Sequence, residues 1–140
     1  MNRSGVLPAQ TLRLLIAQGA IKAHPPVDPA QVQPASLDLR LGTKAYRVRA
    51  SFLAGAGRKV SARLEEFTMH EVDLTKGAVL EKGCVYVIPL MESLALPAGL
   101  SAVANAKSST GRLDLLTRTI TDGGAEFDRI PEGYQGPLYA

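Results

Sequence analysis

The chain has one cysteine, no tryptophan and two histidines in 140 residues, and aromatic side chains make up only 5% of it. One thiol cannot build a disulfide framework, so packing must hold the fold, and a cytoplasmic setting is expected. Cys84, within Cys84-Val85-Tyr86-Val87, reads as a buried strand residue. His24 and His70 lie far apart, with no Pro-Cys-x-x-Cys or His-x-Glu segment, so neither a structural zinc site nor zinc-dependent deamination is supported. Ser-His-Asp catalysis lacks its Gly-x-Ser-x-Gly elbow. No apolar run approaches the roughly 20 residues that span a bilayer. Met1-Asn2-Arg3-Ser4-Gly5 leads into a helix carrying Arg13, not into a signal-peptide core. Scarce aromatics leave no base-stacking platform. The net charge of +3 is spread out: Arg40, Lys44, Arg47 and Arg49 interleave with apolar residues. That balance suits a small anion better than a nucleic-acid polymer.

What is present is a 46% hydrophobic chain of single-domain size, residues 1–140, long enough to bury roughly 68–70% of its unfolded surface. Pro8 to Gln18 has helical spacing through Leu12, Leu15 and Ile16, with Gly19 as its C-terminal stop. A proline-rich passage, His24 to Pro29, must be irregular. The period then changes to two: Ser36-Leu37-Asp38-Leu39-Arg40-Leu41 predicts a strand with leucines on one face and polar residues on the other. Ala45–Phe52 predicts a strand, Leu53–Arg58 a loop and Ala62–Phe67 a helical turn. Short strands are expected at Met69–Leu74, Val79–Leu80, Val85–Leu90, Ser93–Leu96, Ser101–Asn105, Thr117–Thr121 and Tyr134–Ala140, separated by glycines and prolines. Their density points to a mainly β sandwich or barrel.

Two segments carry candidate chemistry. In Lys107-Ser108-Ser109-Thr110-Gly111-Arg112, Ser108 or Ser109 could cap a short helix near 108–115. Unpartnered amides, two hydroxyls and flanking cations would then form a phosphate cradle. An ordinary serine cap with solvated cations fits the same spacing. In Asp128-Arg129-Ile130-Pro131-Glu132-Gly133-Tyr134-Gln135-Gly136, Asp128 and Glu132 read as turn residues or as a carboxylate pair. Arg129 either reaches an anion or lies in solvent.

Gln33-Pro34-Ala35-Ser36-Leu37-Asp38-Leu39-Arg40-Leu41-Gly42 resembles the early strand motif of dCTP deaminases. Lys107 to Leu113 is similar to their Arg/Lys-Ser-Ser-x-x-Arg-Leu motif, and Gly133-Tyr134-Gln135-Gly136 to the turn before their catalytic strand. The resemblance implies a distorted β-barrel of the dUTPase-like (β-clip) type, and a homo-trimer or tandem pseudo-oligomer with sites where units meet. It implies hydrolysis of dCTP to dUTP and ammonia without zinc, with Mg²⁺ accompanying the triphosphate. By position, Ser108 would hold the attacking water and Arg112 would support the charged centre. Lys107, Ser109 and the Thr110-Gly111 backbone would contact phosphates. Arg129 matches an arginine near the substrate, and Tyr139 and Ala140 would line deoxyribose and base through their backbone.

Departures are visible too. Glu126-Phe127 stands where the family has Thr-Ala, Pro131-Glu132 where it has Asp-Pro, and residues 122–126 look inserted. Alternatives are a dUTP pyrophosphatase, whose Pro-Arg-Ser-Gly and Gly-Val-Ile-Asp segments have no counterpart here, and a non-catalytic nucleotide-binding or oligomerisation half of a tandem protein. The family's general acid/base glutamate would be the residue immediately after Ala140, so the chain reads as a C-terminally truncated fragment that is inactive alone. A general acid/base contributes about 10²- to 10⁴-fold to rate. The expected outcome is no steady ammonia release from dCTP by the purified 140-residue chain, followed in a coupled ammonia assay.

Overall fold

The computed structural model describes residues 5–140; Met1 to Ser4, read above as the lead into the first helix, lie outside the described residues. The chain is mainly β, as expected, with short helical pieces. Helix α1 spans Ala9–Ala17, with Pro8 as its N-cap. It ends in a Schellman motif: Gly19 adopts φ +75°, its N–H donates to Ile16, and the Ala20 N–H donates to Leu15. Strand β1 (Ile21–Ala23) follows. Then come β2 (Lys44–Val48), α2 (Val60–Phe67) and β3 (Thr68–Asp73). Next are β4 (Val85–Val87), β5 (Pro89–Ala95) and β6 (Ala102–Val103). Helix α3 (Ser108–Gly111) precedes β7 (Ile120–Thr121), β8 (Arg129–Ile130) and β9 (Gln135–Tyr139).

Among the described residues the strands pair antiparallel in three sheets, ordered β1-β5-β9-β7, β3-β2-β4 and β6-β8. One core cluster joins Val48, Ala54, Val60, Leu64, Val87, Ile120 and Tyr139, so α2 closes over the β2 sheet and the end of β9. A second, of Leu96, Ile130, Tyr134 and Leu138, lies between β5, β8 and β9. A third packs α1 onto β1 through Leu15, Ala20 and Ile21.

Several expectations need correction. Residues 36–41 form no regular strand; only isolated bridges, Val32 with Leu37 and Leu41 with Leu90, involve them. Leu37 packs on the core beside α1 as the alternation predicts, but beyond it the pattern is inverted: Leu39 and Leu41 are exposed while Arg40 turns inward to Glu92. The wholly buried Glu92 carboxylate supplies the cause. It accepts from Arg40 Nε at 2.8 Å, the Arg40 backbone N–H at 2.8 Å and Gln31 Nε2 at 2.9 Å. A buried charge needs its partners close, and that need outweighs hiding two leucines at roughly 1.5–3 kcal/mol each. Val79–Leu80 lies outside any strand, with Val79 exposed. Cys84 is half-buried just before β4, its Sγ accepting from Arg47 Nη2 at 2.8 Å. The helical turn expected at 62–67 is a full helix, α2.

The segment 28–40 is organised from this carboxylate outward. Asp28 and Gln31 form a capping box around the 3-10 turn Pro29–Gln31. Gln31 Nε2 also donates to the Asp38 carbonyl at 2.7 Å. Glu92→Ala would strand three donors in a poorly hydrated site, so we expect a loss of about 3 kcal/mol, measured by urea unfolding, with Glu92→Gln losing less.

Candidate nucleotide site

The segment Lys107–Arg112 is a single helical turn exposed along nearly its whole length. Lys107 takes the N-cap position without a side-chain cap, so neither serine caps the helix as expected. The difference favours binding. The Ser108 and Ser109 hydroxyls make no intramolecular hydrogen bond among the described residues. Their amides are likewise unspent, whereas the Thr110 and Gly111 N–H groups both donate to the Lys107 carbonyl, at 3.0 and 3.2 Å. The open backbone donors are thus those of Ser108 and Ser109, not of the Thr110-Gly111 pair. A Cβ at Gly111 would meet nothing within 4 Å, so the turn faces open space. Arg112 is exposed and joins no ion pair among the described residues.

Lys107 does have a partner. Its Nζ lies 2.5 Å from Asp38 Oδ2, which brings the 33–42 and 107–113 segments together. Gln33 Nε2 approaches the same oxygen at 3.3 Å. Nothing in the spacing of Asp38 singled it out, since its partner lies 69 residues away.

Arg129 sits exposed on β8, opposite Val103 of β6, the strand that leads into Lys107. Its Nε is 3.6 Å from Glu126. Asp128 and Glu132 serve the turn. Asp128 adopts φ 63° and accepts from Thr119 N at 2.7 Å and Arg118 Nε at 2.5 Å. Glu132 accepts from Gly99 N at 2.6 Å. Tyr139 and Ala140 belong to the β9 end, and no hydrogen bond among the described residues ties them to α3. Ala140 spends its N–H and one lone pair of its carbonyl on Ile88, at 2.9 and 2.7 Å. The Tyr139 ring is in the core, and its backbone stands between Pro89 of β5 and Ile120 of β7 in the sheet. Gly136 is required where it stands: a Cβ there would sit 2.7 Å from the Tyr134 hydroxyl, which donates to Pro137 O at 2.7 Å.

Among the described residues no group of three or more His, Cys, Asp or Glu side chains could hold a metal ion. A divalent ion arriving with a polyphosphate would take its ligands mostly from phosphate oxygens and water, as Mg²⁺ commonly does.

Residues 3–140 match the family described as the 2'-deoxycytidine 5'-triphosphate deaminase (DCD) N-terminal domain. The chain belongs to the dCTP deaminase family. The crystal structure of 2'-deoxycytidine 5'-triphosphate deaminase from Agrobacterium tumefaciens superposes with a TM-score of 0.93 and 61% identity, covering 96% of this chain and 40% of that one. A protein of a Sulfurihydrogenibium species named "dCTP deaminase, dUMP-forming" is 30% identical over 133 residues, covering 92% of this chain and 71% of its own length. One of the same name from Dictyoglomus thermophilum is 28% identical over 112 residues, 79% of this chain and 58% of that protein. The chain thus spans two-fifths of the Agrobacterium protein. These likenesses place the mainly β architecture in the dCTP deaminase fold. No helix among the described residues is long and apolar enough to cross a membrane.

Burial pushes the Tyr139 phenol up to about 12, and the nearby Asp122 carboxylate adds to the shift. The folded state therefore keeps this proton where the unfolded chain, near 10, has lost it. Its contribution to stability is complete below pH 10 and disappears as pH rises from about 10 to 12. Urea unfolding between pH 9 and 12 should fall less steeply for Tyr139→Phe than for the unaltered chain.

Proposed function

We propose that this chain is the triphosphate-binding part of a dCTP deaminase, which adds water to the cytosine C4 of dCTP and releases ammonia, leaving dUTP. The observation that carries the proposal is the exposed Lys107–Arg112 turn, whose hydroxyls and first amides are unspent, set against the 33–42 segment by Lys107. In this reading Lys107, Ser109 and the open amides take phosphate oxygens, as charge-assisted hydrogen bonds. Thr110 adds its hydroxyl, and Gly111 the clearance. Ser108 holds the attacking water, and Arg112 stabilises the charge that builds as it adds. Arg129 and the backbone of Tyr139 and Ala140 lie against sugar and base, Ala140 through the remaining lone pair of its carbonyl. Mg²⁺ accompanies the triphosphate and supplies charge neutralisation; zinc has no part. The family resemblance implies a glutamate as the general acid/base.

Assembly as a homo-trimer or tandem pseudo-oligomer in the cytoplasm fits the surface beside the turn, where Val103, Leu113, Leu115 and Leu116 are exposed. Two further readings have an observation each. The relatives' name, dUMP-forming, favours continued cleavage to dUMP with release of pyrophosphate at the same site. The coverage of only 40% of the Agrobacterium chain favours a half of a tandem protein.

In the full-length parent, ammonia from dCTP supports deamination, pyrophosphate alongside it supports the dUMP-forming variant, and binding without turnover leaves the non-catalytic half. Arg112→Ala should weaken dCTP binding by about 1.5–3 kcal/mol, measured by calorimetry. An unchanged affinity counts against the cradle.

A further inference from the structure

We infer that Asp38 is a positioning residue for Lys107, a latch that holds the ammonium when no anion is bound and yields it to an incoming polyphosphate. The inference rests on the reading of Lys107–Arg112 as a polyphosphate cradle and extends it to a residue on another segment.

The two partners differ in how firmly they are held. The Lys107 side chain is 65% exposed and the Asp38 side chain 24%, so the carboxylate is the fixed member and the ammonium the mobile one. Asp38 is fixed from behind: its carbonyl accepts from Gln31 Nε2, which also donates to buried Glu92. When Lys107 leaves, the Asp38 carboxylate keeps the Gln33 amide as a donor and enough exposure to take up water, so it is not left as a bare buried charge. An exposed pair involving one long flexible side chain is worth little. Ammonium–phosphate hydrogen bonds are charge-assisted, and a polyphosphate offers several acceptors. The exchange therefore favours a polyphosphate, at the expense of breaking one weak ion pair. Asp38 subtracts from affinity while keeping Lys107 on the cradle side of the turn.

The test titrates the 140-residue chain with inorganic tripolyphosphate by calorimetry at low ionic strength. Asp38→Asn is expected to tighten binding by about two- to fivefold, the worth of an exposed ion pair, and to change nothing when added to Lys107→Ala. Asp38→Asn binding like the unaltered chain or more weakly overturns the latch, as does an equal gain in the Lys107→Ala background, which would mean a general charge effect. In those cases the cradle still stands if Lys107→Ala and Arg112→Ala each weaken binding. If neither does, the cradle reading fails and the latch with it. A measurement on the unaltered chain guards against a variant that does not fold. In side-chain NMR, saturating tripolyphosphate should shift the Asp38 carboxyl and Lys107 ammonium signals together. A Lys107 signal that moves while Asp38 stays, or two that both stay, overturns the exchange.

Discussion

The carboxylate of Glu92 is the constraint around which the first half of the molecule is arranged. It has no exposure, and an unpaired carboxylate in such a place costs several kcal/mol. Gln31 and Arg40 remove that penalty through three hydrogen bonds. Each donor comes from a segment with no regular strand of its own, so the requirement to satisfy one charge on β5 holds the 28–40 chain in place. Arg40 Nη2 also donates to Pro25 O at 2.8 Å, which extends the same tie to the proline-rich passage. The position of Asp38, and through it of Lys107, is a downstream consequence.

A second set of ties joins segments that are distant along the chain. The 122–126 segment docks onto the loop before α2. Gly123 N donates to Arg58 O at 2.8 Å, and Gly55 N donates to Gly124 O at 3.0 Å. Asp122 Oδ1 accepts from Val60 N at 2.7 Å, at the start of α2. Lys59, the N-cap of α2, contributes no side-chain cap, so Asp122, 62 positions from Val60, takes that role. Asp122 N in turn donates to the Tyr134 hydroxyl at 3.1 Å. The 122–126 segment, the 53–60 loop and the Gly133–Gly136 turn are therefore tied together.

What the sequence made legible was local. The α1 stop at Gly19, the turn at 107–112 and the glycine turn before β9 rest on rules that act over three or four residues, and each is where it was expected. The capping box at Asp28 and Gln31 carries a readable signature too, the acid followed three residues later by an amide. The inversion over residues 38–41 could not be found this way. Periodicity shows that two faces differ; it does not show which one meets the core, and here a glutamate 52 residues from Arg40 decides. The serine cap failed for a similar reason. Propensity favours serine at an N-cap, but the chain enters α3 with Lys107 there, and the serines remain open. The roles of Asp38 and Asp122 depend on partners more than 60 residues away.

The cradle's exposure sets a limit on its strength in this 140-residue unit. Two unit charges 4 Å apart attract by about 1 kcal/mol in water and about 4 kcal/mol at the effective dielectric of a protein surface. Lys107 and Arg112 now stand nearer the first condition. Beside them Leu113, Leu115 and Leu116 point apolar surface at solvent, which the turn itself has no means to bury. Covering those leucines would lower the dielectric around the same two cations and strengthen each phosphate contact without adding a residue to the cradle. In the proposed reading, the apolar surface beside the turn would set the dielectric in which its two cations meet a phosphate.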